Sequence, residues 1–270
     1  MSAECSVLMS IHHKCSKNHF IECLDSLSNQ TLLPSQLVII QDGDMPYDIK
    51  SILVLYDNLV VDYILNERNM GLPYSLNLGL SHCKYDLVFR MDADDVCEKN
   101  RIEIQFNEML SNEKLILLGS NVSLINLKSE IIDKSRRIPL NNKDIRKTIY
   151  IKNPFNHPSV VFRKSKLDDV GGYTNLFLYE DWYLWIQLSK DKENIFKNLE
   201  ENLLQYRIRS FQERKGLRII KAEFLFYKKL FHEKHFNMSF FLLIVIVKSL
   251  VRISPNSIYI KLKHIFDKFK

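Results

Sequence analysis

Residues 85–95 read YDLVFRMDADD: an apolar run, an arginine, then three carboxylates within four positions. The run has the length of a strand and is apolar on both faces, as expected of a strand covered by helices on each side. Asp92, Asp94 and Asp95 repel one another at such spacing. The cluster is therefore either a solvated turn at a strand end or a holder for a divalent cation against a phosphate-bearing ligand. The surrounding sequence decides between the two.

Upstream, the same pattern recurs. CSVLMSI (5–11), QLVIIQDGD (36–44) and NLVVDYIL (58–65) read as buried strands. NHFIECLDSLSNQ (18–30) places Phe20, Ile21, Leu24 and Leu27 at helical spacing, and Asn100–Leu110 is a further helix. NERNMGLPYSLNLGLSHC (66–83) is a glycine-punctuated loop leading into a helix. Strands alternating with helices predict parallel βαβ units in a doubly wound α/β sheet, whose ligands bind outside the carboxyl ends of the strands. HHKCS, QDGD, NERNMG and DADD follow those ends. Acid at two strand ends exceeds what solubility requires, so these segments are expected to converge on one site. Beyond residue 115 the sheet is expected to become mixed, with strands in KLILLGSNVSLIN (114–126) and EIIDKSRRI (130–138). NPFNHPSVVFRKSKLDDVGGY (153–173) reads as a turn, a strand and a glycine pair, and YEDWYLWIQLSK (179–190) opens a helix with two carboxylates.

Composition narrows the class. The chain has 270 residues, 46% hydrophobic and 11% aromatic, which excludes disorder. Five cysteines form an odd set without a CxxC pair, which predicts reduced thiols and argues against zinc. No secretory leader is read at the start, so the expected location is cytoplasmic. Residues 207–270 carry 15 Lys and Arg against four Asp and Glu, whereas residues 1–206 carry 23 against 28. This asymmetry predicts an acidic α/β body over 1–206 and a basic helical segment over 207–270. Within that segment MSFFLLIVIVKSLV (238–251) is too short and too promptly charged to span a membrane. Its interleaved cations and apolar side chains suit an anionic membrane surface at the inner leaflet better than nucleic acid, with Phe240, Phe241, Leu242, Ile244 and Ile246 at the interface. No G-x-G-x-x-G follows a strand, which disfavours a dinucleotide oxidoreductase.

An acidic pocket holds a pyrophosphate only through a cation. Mg2+ or Mn2+ takes one or two carboxylates and fills its remaining positions with phosphate oxygens and water. A D-x-D triplet alone is a weak signal. Here SVLMSI, QDG (41–43), NMGLPYSLNLG (69–79), DAD (92–94) and ED (180–181) occur together and in order, and over roughly residues 1–210 the combination resembles the GT-A-fold glycosyltransferases of family 2. NHPSVVFRKS, GGY and EDWYLW resemble bacterial enzymes that build O-antigen and exopolysaccharide repeat units.

The resemblance implies a metal-dependent, inverting transfer from a nucleotide sugar, UDP-hexose or UDP-N-acetylhexosamine, to a lipid-linked saccharide. It implies that Asp42 contacts the nucleotide base, that Asn69 and Gly71 shape the loop over the nucleotide, and that Ser10, Asn77 and Ala93 belong to the same contact set. Asp94 would be the direct metal ligand, Asp92 would contact the ribose or a metal-bound water, and Asp181 would be the catalytic base, with Glu180 in a supporting role. Ile11–His13 stands where the family often has proline, tyrosine and asparagine, so His12 or His13 is expected to substitute at the base. His157, Trp182 and Arg209 are candidate acceptor contacts, and Arg207 a candidate partner for the diphosphate. Two other readings compete. VFRMDADDV fits the D-x-D-x-V nucleophile motif of haloacid-dehalogenase-type phosphatases, but that motif should end the first core strand, and three strands precede it here. The other takes the basic segment as a nucleic-acid arm.

Overall fold

A computed structural model describes residues 2–133, 138–208 and 216–253. One sheet of nine strands organises the chain. β1 (Ser2–Ile11), β2 (Leu33–Asp42) and β3 (Val61–Asn66) alternate with helices α1 (Lys17–Ser28), α2 (Ile49–Leu53) and α3 (Leu72–His82). β4 (Leu87–Arg90) follows, then the two-residue β5 (Val96–Cys97) and α4 (Arg101–Leu110). β6 (Leu115–Ile125) and β7 (Ile131–Asp133) pair antiparallel. After α5 (Asn142–Thr148) and a single 3-10 turn (His157–Ser159) come β8 (Val161–Arg163), α6 (Lys164–Asp168), α7 (Glu180–Leu188) and β9 (Ile195–Arg207). The strand order is β3-β2-β1-β4-β8-β6-β9-β5, with β7 on β6. The first four strands are parallel, and β8 enters antiparallel to both β4 and β6. The expected α/β class and mixed sheet are therefore what the chain adopts.

Alternation along the strands explains why they read as continuous apolar runs. Val7, Met9, Ile11, Leu37 and Ile39 join one core with Phe20, Leu24 and Leu27 of α1 and Ile102 of α4. Leu8, Val38 and Ile40 point the other way, into a second core with Leu76 and Leu80 of α3 and Trp185 of α7. All five cysteines are free and buried in these layers.

Three boundaries depart from the sequence reading. The strand expected over 85–95 stops at Arg90, and the four acidic-cluster residues form a turn closed by the Asp95 amide donating to the Asp92 carbonyl (3.3 Å). The strand expected over 130–138 is confined to β7, with 134–137 outside the described residues. β9, not anticipated, pairs with β6 over its whole length, but its register jumps from Ser120↔Leu199 to Asn121↔Asn202. The bulge leaves Glu200 and Glu201 outside the ladder and breaks the alternation that would have marked a strand.

The basic segment folds back on the body. α8 (Leu217–His232) and α9 (Met238–Ile253) form a hairpin. Ile219, Glu223, Phe226, Tyr227 and Leu230 occupy one helical face of α8 and are buried. Phe226 stacks on Tyr179 (4.8 Å) and packs on Trp182 (4.7 Å). Of the five side chains expected at a membrane interface, Ile244 lies in the second core, and Phe240 and Phe241 pack against it. Leu242 and Ile246 remain exposed, together with Leu243 and Leu250. Among the described residues no helix is long and apolar enough to cross a membrane.

Candidate active site

The carboxyl ends of β1, β2, β3 and β4 lie side by side, so the loops after them share one edge of the sheet. Asp42 ends β2 and is buried. One of its oxygens accepts from the Met70 amide (2.7 Å) and Asn66 Nδ2 (3.0 Å), the other from the Gly71 amide (2.9 Å). The carboxylate thus folds the 66–71 loop. Gly43 makes that fold possible: its φ is 83°, and a Cβ there would stand 2.7 Å from the Asn69 amide nitrogen. Asn69 is exposed and donates to the Asp42 carbonyl (3.3 Å), and Gly71 opens α3 with φ 88°. Ser10, half-buried, sits near the end of β1, and His12 follows in the next loop, where its Nδ1 accepts from the Lys14 amide (3.2 Å).

The acidic turn resolves into two different kinds of carboxyl. Asp92 and Asp94 are half-buried at the edge, flanking the buried Ala93. Asp95 is fully buried, and one of its oxygens accepts from the Arg207 amide (2.8 Å). Burial first, then the charges of Asp92 and Asp94, hold the Asp95 carboxyl well above the usual carboxylate range. That shift favours its protonated form and so eases the repulsion among the three adjacent acids. Arg90 lies under this turn, 2% exposed, with Nη2 2.5 Å from Asp92 Oδ1 and with Nε and Nη1 lacking hydrogen-bond partners.

From the other side comes α7. Asp181 accepts from Asn153 Nδ2 (2.7 Å) on one oxygen and from the Trp182 amide (2.7 Å) on the other. Glu180 precedes it, its carboxyl pushed up to about 7 by burial and by Asp181, with Arg90 acting against them and Asp92 also raising it. Tyr173 brings the glycine pair into the same field. Its hydroxyl lies 2.9 Å from His157 Nε2, and burial together with the Arg90 cation holds His157 well below the usual histidine range, hence neutral. Arg90, Asp92, Glu180, Asp181, Tyr173 and His157 thus form one electrostatic cluster.

Other sequence expectations need correction. Asn77 spends both ends of its amide on Tyr173, accepting from its N–H and donating to its carbonyl (2.8 Å each), so it clamps α3 to the glycine pair. Trp182 is buried against Phe226, and its indole N–H donates to the Ile149 carbonyl (2.5 Å), which leaves it a core residue. The Arg207 guanidinium is consumed by Glu22 (2.6 Å), the Asp94 carbonyl (2.7 Å), the Asn126 carbonyl and Ser129 Oγ (3.0 Å each), so it braces the acidic turn and is not available to a diphosphate. Arg209 lies outside the described residues. The reading of the sequence missed Asn153, Tyr173 and the role of Arg90. For Arg90 a signal exists: a charged residue inside an apolar strand is rarely buried without a task.

Among the described residues no group of three or more His, Cys, Asp or Glu is arranged to hold a metal ion. Asp92 and Asp94 are nevertheless the right donors for Mg2+ or Mn2+, hard cations that need only one or two carboxylates when phosphates and water complete the shell.

The sheet order, the acidic turn at the end of β4 and the carboxylate pair at a helix start gather one site at the carboxyl edge of an α/β sheet. The Glycosyl transferase family 2 model matches residues 6–171, and the chain belongs to that family; it is a glycosyltransferase. It is 35% identical over 226 residues to the amylovoran biosynthesis glycosyltransferase AmsE of Erwinia amylovora, covering 83% of this chain and 84% of that one. It is 32% identical over 262 residues to an Escherichia coli UDP-Gal:alpha-D-GlcNAc-diphosphoundecaprenol beta-1,3-galactosyltransferase, covering 93% and 92%. Among solved structures, S. aureus TarS 1–349 in complex with UDP-GlcNAc superposes with a TM-score of 0.66 at 16% identity, over 93% of this chain and 72% of that one, and shows the shared GT-A fold.

Proposed function

We propose that the protein is an inverting, metal-dependent glycosyltransferase that moves a hexose or N-acetylhexosamine from a UDP-sugar to a hydroxyl of a lipid-diphosphate-linked saccharide in surface polysaccharide assembly. The observation that carries this reading is the meeting of Asp92 and the Glu180–Asp181 pair around the buried Arg90. One carboxylate set faces the phosphates of a donor, and a second lies where an acceptor would approach. The Escherichia coli relative, a UDP-Gal transferase onto GlcNAc-diphosphoundecaprenol by name, supports the donor and acceptor classes, and the Erwinia relative supports the polysaccharide role.

Each residue then has a defined task. Asp94, with Asp92, would hold Mg2+ or Mn2+, which when bound neutralises the departing diphosphate. Arg90 fixes the rotamer of Asp92 and offsets its charge. The loop folded by Asp42 lines the nucleotide end, with Ser10, His12 and Asn69 beside it. Asp181, oriented by Asn153, takes the acceptor hydroxyl proton as the new bond to the anomeric carbon forms and the bond to the phosphate oxygen breaks. Glu180, its carboxyl pushed up to about 7, is only partly ionised near neutral pH and competes less well than Asp181 as an anion. The α8–α9 hairpin, with its exposed Leu242, Leu243, Ile246 and Leu250, would lie on an anionic membrane surface at the inner face, where cations near the plane each contribute roughly 1 kcal/mol.

Incubating the enzyme and Mn2+ with a panel of UDP-sugars and a sugar-diphosphate-alkyl acceptor, and reading the anomeric configuration of the product by NMR, tests this reading. A metal-dependent product with inverted configuration is expected. A retained configuration, or transfer undiminished by a chelator, overturns the mechanism.

A further inference from the structure

The backbone of the acidic turn is held from beneath by side chains to which the proposed chemistry gives no task. Carbonyls in a surface turn usually go to water. Here the Arg90 carbonyl accepts from Arg101 Nη2 of α4 (2.8 Å), and the Asp92 carbonyl from the Cys23 thiol of α1 (3.7 Å). The Ala93 carbonyl accepts from the Cys15 thiol in the loop after β1 (3.4 Å), and the Asp94 carbonyl from Arg207 Nε of β9 (2.7 Å). Arg101, Cys23, Cys15 and Arg207 are all buried. Separate elements thus converge on successive carbonyls of one short turn.

Packing alone does not explain Arg101. It is a buried cation with no carboxylate at ion-pair distance among the described residues; its Nε donates to Gln105 Oε1 (3.0 Å) and its Nη1 to Cys97 Sγ (3.4 Å). A buried charge without a counter-ion is costly, and an apolar side chain of similar volume would fill the space with less penalty. Gln105, also buried, extends the tie: its Nε2 donates to the Ser159 carbonyl (2.9 Å) in the 3-10 turn that begins at His157. Cys15 is a second junction. Its carbonyl accepts from the Tyr47 hydroxyl (3.2 Å) in the loop after β2, and its amide donates to the His12 carbonyl (2.9 Å). The acidic turn is therefore tied to the loops after β1 and β2 and to the His157 turn.

We infer that Arg101, Cys15 and Cys23 are positioning residues which, with Arg207, fix the backbone of the acidic turn so that Asp92 and Asp94 meet a divalent cation already in place. This rests on the reading of those two carboxylates as metal donors, and adds what makes them selective among cations. Mg2+ demands near-ideal octahedral geometry at short distances, whereas Ca2+ accepts longer and more variable shells. A turn released from its ties keeps both carboxylates and their charge, but loses the geometry that the smaller ion needs. The three residues act through the turn and touch neither the cation nor the substrate.

Metal binding without turnover is the test. Mn2+ is titrated into the full chain with saturating UDP, free Mn2+ is read by electron paramagnetic resonance, and Mg2+ and Ca2+ are added as competitors. Arg101→Met is expected to weaken Mg2+ and Mn2+ by about tenfold, the usual effect of removing a group that orients metal-binding ligands, and Ca2+ by only about twofold. Arg101→Lys keeps the charge but cannot reproduce the fork that reaches Arg90, Cys97 and Gln105 together, so it should lose nearly as much. Cys15→Ala and Cys23→Ala remove weaker donors and should each cost about threefold for Mg2+, which keeps the test decisive if the Arg101 variants unfold. Phe226→Ala lowers stability through the α8 contact instead, and should leave the ratio of Mg2+ to Ca2+ affinity as in the wild type. A wild-type ratio in folded Arg101→Lys or in both cysteine variants, or the same change of ratio in Phe226→Ala, would overturn the inference. Wild-type protein that binds UDP but takes up no Mn2+ would overturn the metal reading of Asp92 and Asp94, and this inference with it.

Discussion

The two sides of the proposed site, donor and acceptor, are assembled by different means. On the donor side, β1 to β4 deliver Ser10, Asp42, Asn69, Asp92 and Asp94 to one edge through successive βαβ units, so chain order alone brings them together. On the acceptor side, Asp181 is oriented by Asn153, 28 residues away, Tyr173 is clamped by Asn77, 96 residues away, and α7 is backed by the hairpin. The first side is a property of the sheet, and the second is a property of long-range packing. Damage to the second should therefore spare the first.

Asp181→Asn is the sharpest way to break the comparison. Turnover should fall about 10²–10⁴-fold, because the proton acceptor is removed while the hydrogen bond from Asn153 remains possible. The Kd for UDP with Mn2+, measured by calorimetry, should stay within about twofold. Phe226→Ala comes next. It empties the contact between α8 and the Tyr179–Trp182 pair, and should destabilise the fold by about 3–5 kcal/mol in urea melts. At permissive temperature it should depress transfer more than UDP binding, whereas Leu24→Ala, buried under β1, should depress both alike.

Gly172→Ala is a milder probe of the same side. Gly172 has φ 70°, and a Cβ would stand 2.6 Å from Asn77 Oδ1, so the Asn77–Tyr173 clamp must open. A loss of about 1–3 kcal/mol is expected, with KM for acceptor rising more than KM for donor. The smallest effect concerns pH. Burial and Asp181 push the folded Glu180 carboxyl up to about 7 from its ordinary 4.5, so the folded state holds its proton more tightly than the unfolded chain. That contribution to stability is complete below about 4.5 and is lost as pH rises through about 7. Glu180→Gln should flatten the fall in Tm between those values, and an unchanged slope would place the titration elsewhere.

The same contrast explains what was legible in the sequence. Apolar runs ending in acid disclosed β1 to β4 and most of the donor edge, because strand burial and loop position are encoded locally. Asp92 and Asp95 look alike in sequence; only the closing strand β9, whose Arg207 amide meets Asp95, separates a half-buried edge carboxylate from a fully buried one. β9 itself was hidden by the bulge that expels Glu200 and Glu201. Trp182, Asn77 and Arg207 carry the residue types of a binding site, yet partners at sequence separations from 33 to 185 claim their polar groups. The hairpin read as a surface segment because helical period shows one apolar face and does not show that α8 turns its own towards α7.

The central claim is that Asp94 serves the donor and Asp181 the acceptor. Thermal unfolding of the wild type, Asp94→Asn and Asp181→Asn, each with UDP alone and with UDP plus Mn2+, tests it most directly. The account predicts a metal-dependent rise in Tm for the wild type and for Asp181→Asn, and a rise reduced by at least half for Asp94→Asn. An equal rise in all three proteins, or one that does not require metal, would contradict it.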